Sequence, residues 1–231
     1  MLSTIKFFIS ACLIFFSANL CAQEKKVAKP KKDYIPTGFR VGTDLIDLGK
    51  TISGSTFTGW EVNSDVDFAN YYLTADVGTW GKDILIKNGD YKNSGTYYRA
   101  GIDINFLGSD PDKNMFFIGF RAGHSFFNES VTYHTTASHL YSPLDTTSTN
   151  PSASGNWGEL TNGLRVKVWK GLWLGYTARM KFAPTVHGSP NFATYDMPGY
   201  GVIQNSPWWG FNYQIFWRFA WRKNKVPPVK K

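Results

Sequence analysis

From residue 38 onward, apolar and polar positions alternate with a period of two along most of the chain. That is the mark of strands with two unlike faces. Eight segments read this way, and no stretch of useful length shows a helical period. The first, 39–47, sets Phe39, Val41 and Leu45 against Arg40 and Asp44. The second, 58–68, sets Trp60, Val62, Val66 and Phe68 against Glu61, Asn63, Asp65 and Asp67. The third, 71–80, places Leu73, Ala75 and Val77 opposite Thr74 and Asp76. The fourth, 96–107, places Tyr98, Ala100, Ile102 and Ile104 opposite Arg99, Gly101, Asp103 and Asn105. In the fifth, 115–126, Phe116, Ile118 and Phe120 face away from Gly119, Arg121 and Gly123. The sixth, 157–169, separates Leu160, Leu164, Val166 and Val168 from Glu159, Thr161, Arg165 and Lys167. The seventh, 172–182, separates Leu174, Tyr176, Ala178 and Met180 from Gly175, Thr177, Arg179 and Lys181. The eighth, 208–221, separates Trp209, Phe211, Tyr213, Ile215, Trp217 and Phe219 from Gly210, Asn212, Gln214 and Arg218.

Connection lengths alternate. Short links are expected at 69–70, 108–114 and 170–171, and long ones at 48–57, 81–95, 127–156 and 183–207. Even strand number, short turns on one side and long loops on the other describe an eight-stranded antiparallel up-and-down transmembrane β-barrel with long extracellular loops. Both termini then lie on the short-turn side, the periplasm. A soluble barrel of the lipocalin type shares the strand count and the alternation. It differs in which face points inward, which alternation alone does not decide. The loop lengths favour the membrane form. So do the aromatics near strand ends, Tyr71, Tyr72, Trp80, Tyr97, Tyr98, Trp157, Trp169, Trp173, Trp208, Trp209 and Trp221, read as interfacial girdles.

Composition sharpens this picture. Charged residues make up 18% of the chain and aromatics 17%, against about 25% charged in ordinary soluble domains. No internal run approaches the about 20 apolar residues of a membrane-spanning helix. At the N-terminus, Lys6 followed by the apolar run 7–16 and Ala22 reads as a signal peptide, 1–22. A lipoprotein signal acylated at Cys21 would want a small residue where Leu20 stands. Cys12 and Cys21 are the only cysteines, so the mature chain would have no disulfide, thiolate metal site or cysteine nucleophile.

Apart from Lys6 in the expected signal peptide, the net charge of +8 is confined to two tails. Residues 23–37 form a basic periplasmic N-terminal segment with Lys25, Lys26, Lys29, Lys31 and Lys32. Residues 223–231, ending Val226-Pro-Pro-Val-Lys-Lys231, form a basic periplasmic tail in an extended conformation. The barrel between them, 38–222, is close to neutral, which removes the electrostatic warrant for nucleic-acid binding. Its polar face carries the acids Asp44, Glu61, Asp65, Asp67, Asp76, Asp103 and Glu159. The bases are Arg40, Arg99, Arg121, Arg165, Lys167, Arg179, Lys181 and Arg218. An eight-stranded barrel is only wide enough for side chains to fill. An ion-paired, plugged lumen is therefore expected, and a small-solute channel is disfavoured.

Catalytic chemistry finds little support. A lipid A modifying enzyme would use Ser and His with an acid. The adjacent pair His124 and Ser125 points to opposite faces of a strand. His134, His139 and His187 fall in expected outer loops, and Glu129 and Asp145 with these histidines make a weak case for omptin-like proteolysis. Neither a phosphate-binding glycine loop nor an HExxH spacing occurs, and 108–112 reads as a plain turn. No catalytic, cofactor-binding or metal residue is assigned, and no cofactor is expected.

Three stretches and the aromatic last strand resemble an uncharacterised family of small outer-membrane β-barrels from Bacteroidota. They are Tyr34-Ile-Pro-Thr-Gly-Phe-Arg-Val-Gly-Thr-Asp-Leu45, Gly59-Trp-Glu-Val-Asn-Ser-Asp-Val-Asp-Phe68 and Tyr97-Tyr-Arg-Ala-Gly-Ile-Asp103. The resemblance implies an outer-membrane location and transfers no site residues. It implies a structural or accessory subunit of an outer-membrane complex, with outer-membrane protein assembly among the candidate processes. The expected partners are outer-membrane lipid and a larger outer-membrane barrel or surface lipoproteins.

Overall fold

The structure, a computed structural model, describes residues 34–54, 56–108, 110–135 and 144–222. The expected signal peptide, most of the basic N-terminal segment and the basic tail lie outside the described residues. Eight antiparallel strands close into a barrel: β1 (Gly38–Asp44), β2 (Phe57–Phe68), β3 (Tyr71–Ile86), β4 (Gly89–Asn105), β5 (Met115–Thr135), β6 (Leu144–Trp169), β7 (Leu172–His187) and β10 (Trp208–Ala220), with β1 pairing β10. Each expected strand is present. The polar face of the alternation is the inner one. Leu73, Ile102, Phe120, Leu160 and Phe211 stand exposed on the exterior, while Arg40, Arg121 and Arg179 are buried inside.

The expected long connections are mostly strand. β3 and β4 run on to a two-residue turn at Lys87–Asn88, where Asn88 takes the left-handed conformation asparagine tolerates (φ 63°). The extension has no apolar–polar alternation to announce it, since Ile84, Leu85 and Ile86 follow one another. It is held by the backbone ladder and by cross-strand pairs such as Asp83 with Lys92 at 3.0 Å. The Ser/Thr-rich run 142–155 is read as loop from its composition. From Leu144 it is instead the outer half of β6, with Thr147 facing Thr132. Pro151, which cannot donate to a ladder, sits where the β5–β6 register skips between Phe127 and Glu129.

The first expected strand is corrected more deeply. It ends at Asp44, and the next residues form a helix, α1 (Leu45–Ile52). The local signals are short but complete. Asp44 caps the N-terminus, accepting from Ile46 N–H at 3.0 Å. Lys50 lies in the last turn, and Gly54 follows with φ of 69°. α1 packs against both β2 and β10. It occupies the wall position that the outer half of β1 would have filled. Leu45 and Ile52 face outward, and Asp47 is buried.

Because a helix offers no ladder to its neighbours, side chains satisfy the two exposed edges. Thr51 Oγ1 accepts from Gly59 N–H and donates to Gly59 O, both at 2.8 Å. Asp44 accepts from Tyr213 N–H at 3.2 Å and from the Asn212 amide. Asp44 thus holds the fork at which β1, α1 and β10 separate. Asp44→Ala leaves three donors without their acceptor and is expected to cost about 2–3 kcal/mol, read as a lower urea midpoint for unfolding from detergent. A midpoint equal to wild type would refute the pegged-wall description.

Candidate functional site: the charged lumen

The lumen is built from inward positions of all eight strands. At the turn end, Asp67 collects Thr37 N–H at 3.0 Å, Gly38 N–H at 2.9 Å, Lys113 Nζ at 3.1 Å and Arg218 Nη2 at 3.4 Å. Above it, Asp65 bridges Arg40, at 2.9 Å from Nε, and Arg165 from across the barrel. Arg40 lies over the Tyr72 ring at 4.9 Å. Arg165 lies between Phe117 at 5.0 Å and Phe216 at 4.6 Å. These rings shield the guanidinium faces while the edges meet carboxylates.

The next layer binds Arg121 to Asp103 at 3.0 Å and to Asp76 at 2.5 Å. Asp76 also approaches Arg99 at 3.5 Å and Arg179 at 3.6 Å. Higher still, Arg179 binds Glu159 at 3.0 Å and Asn212 at 2.6 Å, and Arg99 binds Glu61. Tyr97 donates to Glu61 at 2.5 Å, and Trp157 Nε1 to Glu159 at 2.7 Å. Five buried arginines (40, 99, 121, 165, 179) thus interleave with five buried carboxylates (61, 65, 76, 103, 159). Glycines on the same face make room for them: a Cβ at Gly119 would stand 2.0 Å from Asp103 Oδ1.

A lid closes the loop end. The connection after β7, expected as an outer loop, carries a small hairpin, β8 (Asp196–Met197) and β9 (Gly201–Val202), that folds into the mouth. Met197 and Tyr200 pack fully buried against Tyr97, Phe127, Ala153 and Trp157. Lys181 Nζ bonds the carbonyls of Gly199 at 2.7 Å and Tyr200 at 3.0 Å. Asp196 accepts from Lys82 at 2.6 Å, Trp80 Nε1 at 2.9 Å and Asn93 at 2.9 Å. Glu129 takes Tyr91 at 3.0 Å, Asn150 at 3.1 Å and Thr194 at 2.5 Å.

Most inward charges expected from the alternation are in this network. Lys167 is the exception, reaching out of the lumen to Asp112 in the β4–β5 turn. Asp47, Lys113, Glu129 and Asp196 join the buried charges from segments whose alternation is broken or absent. Four of the eleven aromatics expected as girdle belong inside, and Trp80 and Trp208 pack half-buried against the lid cluster. Tyr72, Tyr97, Trp157 and Trp173 are buried, because period-two facing and not proximity to a strand end decides their side. Tyr71, Tyr98, Trp169, Trp209 and Trp221 do face outward.

The weighed catalytic residues do not converge. His124 points outward, 2.7 Å from Asn156 and edge-on to Phe126, while Ser125 is buried in the lumen. His187 is exposed at the end of β7, and His139 lies outside the described residues. His134 sits on the protruding β5–β6 hairpin between Asp90 and Asp145, each at 2.9 Å. Among the described residues, no group of three His, Cys, Asp or Glu is placed to hold a metal ion.

A family model described as a domain of unknown function, DUF6048, matches residues 4–223. No curated protein matches the chain. Among solved structures, the crystal structure of Acinetobacter baumannii CarO2 is similar at 13% identity with a TM-score of 0.39, covering 81% of this chain and 99% of that one.

Two expectations follow from the geometry. Asp65→Asn leaves two buried arginines without their shared anion and is expected to cost about 3–5 kcal/mol in equilibrium unfolding. Adding Arg165→Met should restore part of that loss, and strict additivity of the two substitutions would contradict the shared bridge. The hydrogen bonds to Asp145 and Asp90 raise the His134 imidazole above its ordinary value. The clamp on the protruding hairpins is therefore complete at acid pH and fades as pH rises through that raised value. NMR titration should show the His134 shift abolished in the Asp90→Asn, Asp145→Asn double variant.

Proposed function

The chain belongs to the DUF6048 family, and from that premise we propose that it is a non-enzymatic outer-membrane β-barrel with both termini in the periplasm. It serves as a structural or accessory subunit of an outer-membrane complex. The observation that carries this reading is the inversion of polarity: a charged, extensively ion-paired interior inside an apolar exterior.

The outward residues of β5 from Phe116 to Phe126 include Ile118, Phe120 and Ala122. Beyond them come Asn128, Ser130, Thr132 and His134. Ten rises of about 3.4 Å at a tilt of about 40° give an apolar band about 26 Å tall, close to the about 25 Å band of outer-membrane barrels. In water, the exposed rows of Ile, Leu and Phe would be a large aggregating surface. In lipid they are solvated, and the lumen charges are neutralised by each other.

A lumen filled by side chains and lidded by β8–β9 argues against a diffusion path. The work then falls to the surfaces: the hairpins that rise past the apolar band, the lipid-facing wall and the basic tails. The hairpins suit contact with surface lipoproteins, the wall a larger barrel, and the tails an acidic periplasmic partner. Outer-membrane protein assembly is one process that uses such subunits.

The experiment is affinity purification of the tagged protein from outer membranes in mild detergent, with mass spectrometry of what accompanies it. Stoichiometric recovery of another outer-membrane barrel or of lipoproteins is the expected result, and a solitary barrel would overturn the subunit role. Planar bilayers should show no conductance steps, and a stable unitary conductance would contradict the plug. Ile102→Arg, in the middle of the band, should lower the free energy of folding into lipid by about 2–4 kcal/mol. No effect there would contradict the membrane placement.

A further inference from the structure

The outward face carries a depression where a girdle would stand. Cross-strand pairing aligns its residues in rows. In mid-band the row is Val66, Leu73, Ile102, Phe120 and Leu160. Higher up comes Val62, Val77, Tyr98 and His124. The next row, at the top of the apolar band, is Trp60, Thr79, Thr96 and Phe126, and above it stand Thr58, Gly81, Ser94 and Asn128. Two threonines thus sit side by side between an indole and a phenyl ring, with a phenol below and small polar groups above. Barrels ordinarily place large aromatics continuously at this level.

The result is an open groove of about 800 Å³ across β2 to β6, with Thr51 of α1 at one end and Ser152 of β6 at the other. Its rings are substantially exposed, with Trp60 at 44% and Tyr98 at 49%. Among the described residues, no Lys, Arg, Asp or Glu lines it; its polar side-chain groups are hydroxyls, an amide and indole N–H groups. Each hydroxyl both donates and accepts, and an amide supplies one of each kind. Neutral hydroxyls beside exposed ring faces match the hydroxyls and apolar ring faces of a sugar, and offer no counter-charge that would hold a bare phosphate by itself.

We propose that this groove binds the sugar headgroup of one glycolipid of the outer leaflet, its acyl chains lying down the aliphatic rows below. This rests on the outer-membrane reading, which sets the groove at headgroup height with apolar rows beneath it. A soluble saccharide has no use for those rows, so the lipid-linked form is the ligand.

The test uses the full-length barrel and a variant, Thr79→Trp with Thr96→Trp, that fills the trough. Tryptophan at this level is ordinary for a membrane barrel, so the variant is expected to fold, checked by heat-modifiable migration on gels. Both proteins are placed in phosphatidylethanolamine vesicles with and without purified lipid A, extracted in mild detergent and weighed by native mass spectrometry. Wild type should keep one lipid A per barrel, and the variant should keep about tenfold less, the loss of about 1.4 kcal/mol of binding. Equal retention by the two, or none by wild type, overturns the proposal. So does tight binding of the deacylated headgroup saccharide without the chains. If wild type folds but does not float with vesicles, the membrane reading itself has failed and the groove proposal falls with it. Flotation with no lipid A retained removes the groove proposal alone.

Discussion

Charged side chains held inside one narrow barrel, above all the five arginines and five carboxylates of its central layers, are tolerable only if each finds counter-charge within a few ångströms. Removing such a group from water costs several kcal/mol that only close, well-aligned partners offset. The layered arrangement meets that condition by sharing. Asp65 serves Arg40 and Arg165, Asp76 lies among Arg99, Arg121 and Arg179, and Glu159 serves Arg99 and Arg179. Every strand of the wall except the closing β10 supplies a member of this set. The wall and its filling therefore specify each other, and the glycines at 101, 119 and 175 are part of the same packing.

Closure at both ends extends that constraint. Asp67 gathers the start of β1, the β4–β5 turn and the last strand at one mouth. At the other, the β8–β9 hairpin is tied by Asp196 and Lys181 and capped by an aromatic cluster. A pore would need these contacts broken together. The exterior is where the molecule is open to others, and there the apolar band, the polar groove and the rising hairpins follow one another along the strands.

How much of this was legible in the sequence depended on whether an apolar face accompanied the strand. Residues such as Ile102 and Phe120 against Asp103 and Arg121 announce strand, facing and register at once. Tyr91, Asn93 and Asn150 lie on equally regular strands, but their outward neighbours are Lys92, Ser94 and Ser152, and without contrast the period disappears. α1 was hidden for another reason: eight residues span barely two turns, and Val41 and Leu45, four residues apart, suit either period. The cap signals of Asp44 and Gly54 were the available clue. The acids and bases of the lumen were readable because alternation fixes facing. Asp196 was not, because nothing local says that a glycine- and proline-rich connection turns back into the mouth, and Glu129 was not, because its outward neighbours Asn128 and Ser130 give no apolar contrast.

The substitution of α1 for the outer half of β1 also bears on how the ring is closed. β1 and β10 meet over only seven paired residues, Gly38 to Asp44, whereas β3 and β4 meet over sixteen. A short closing ladder gives little hydrogen-bonded discrimination between neighbouring alignments. In a period-two wall, however, a slip of one residue would turn Arg40 outward and Phe39 into the charged interior. Asp65 and the Asp44 fork therefore act as proofreading marks for the final joining of first strand to last. Fidelity at the seam comes from charge recognition, where the rest of the wall relies on ladder length.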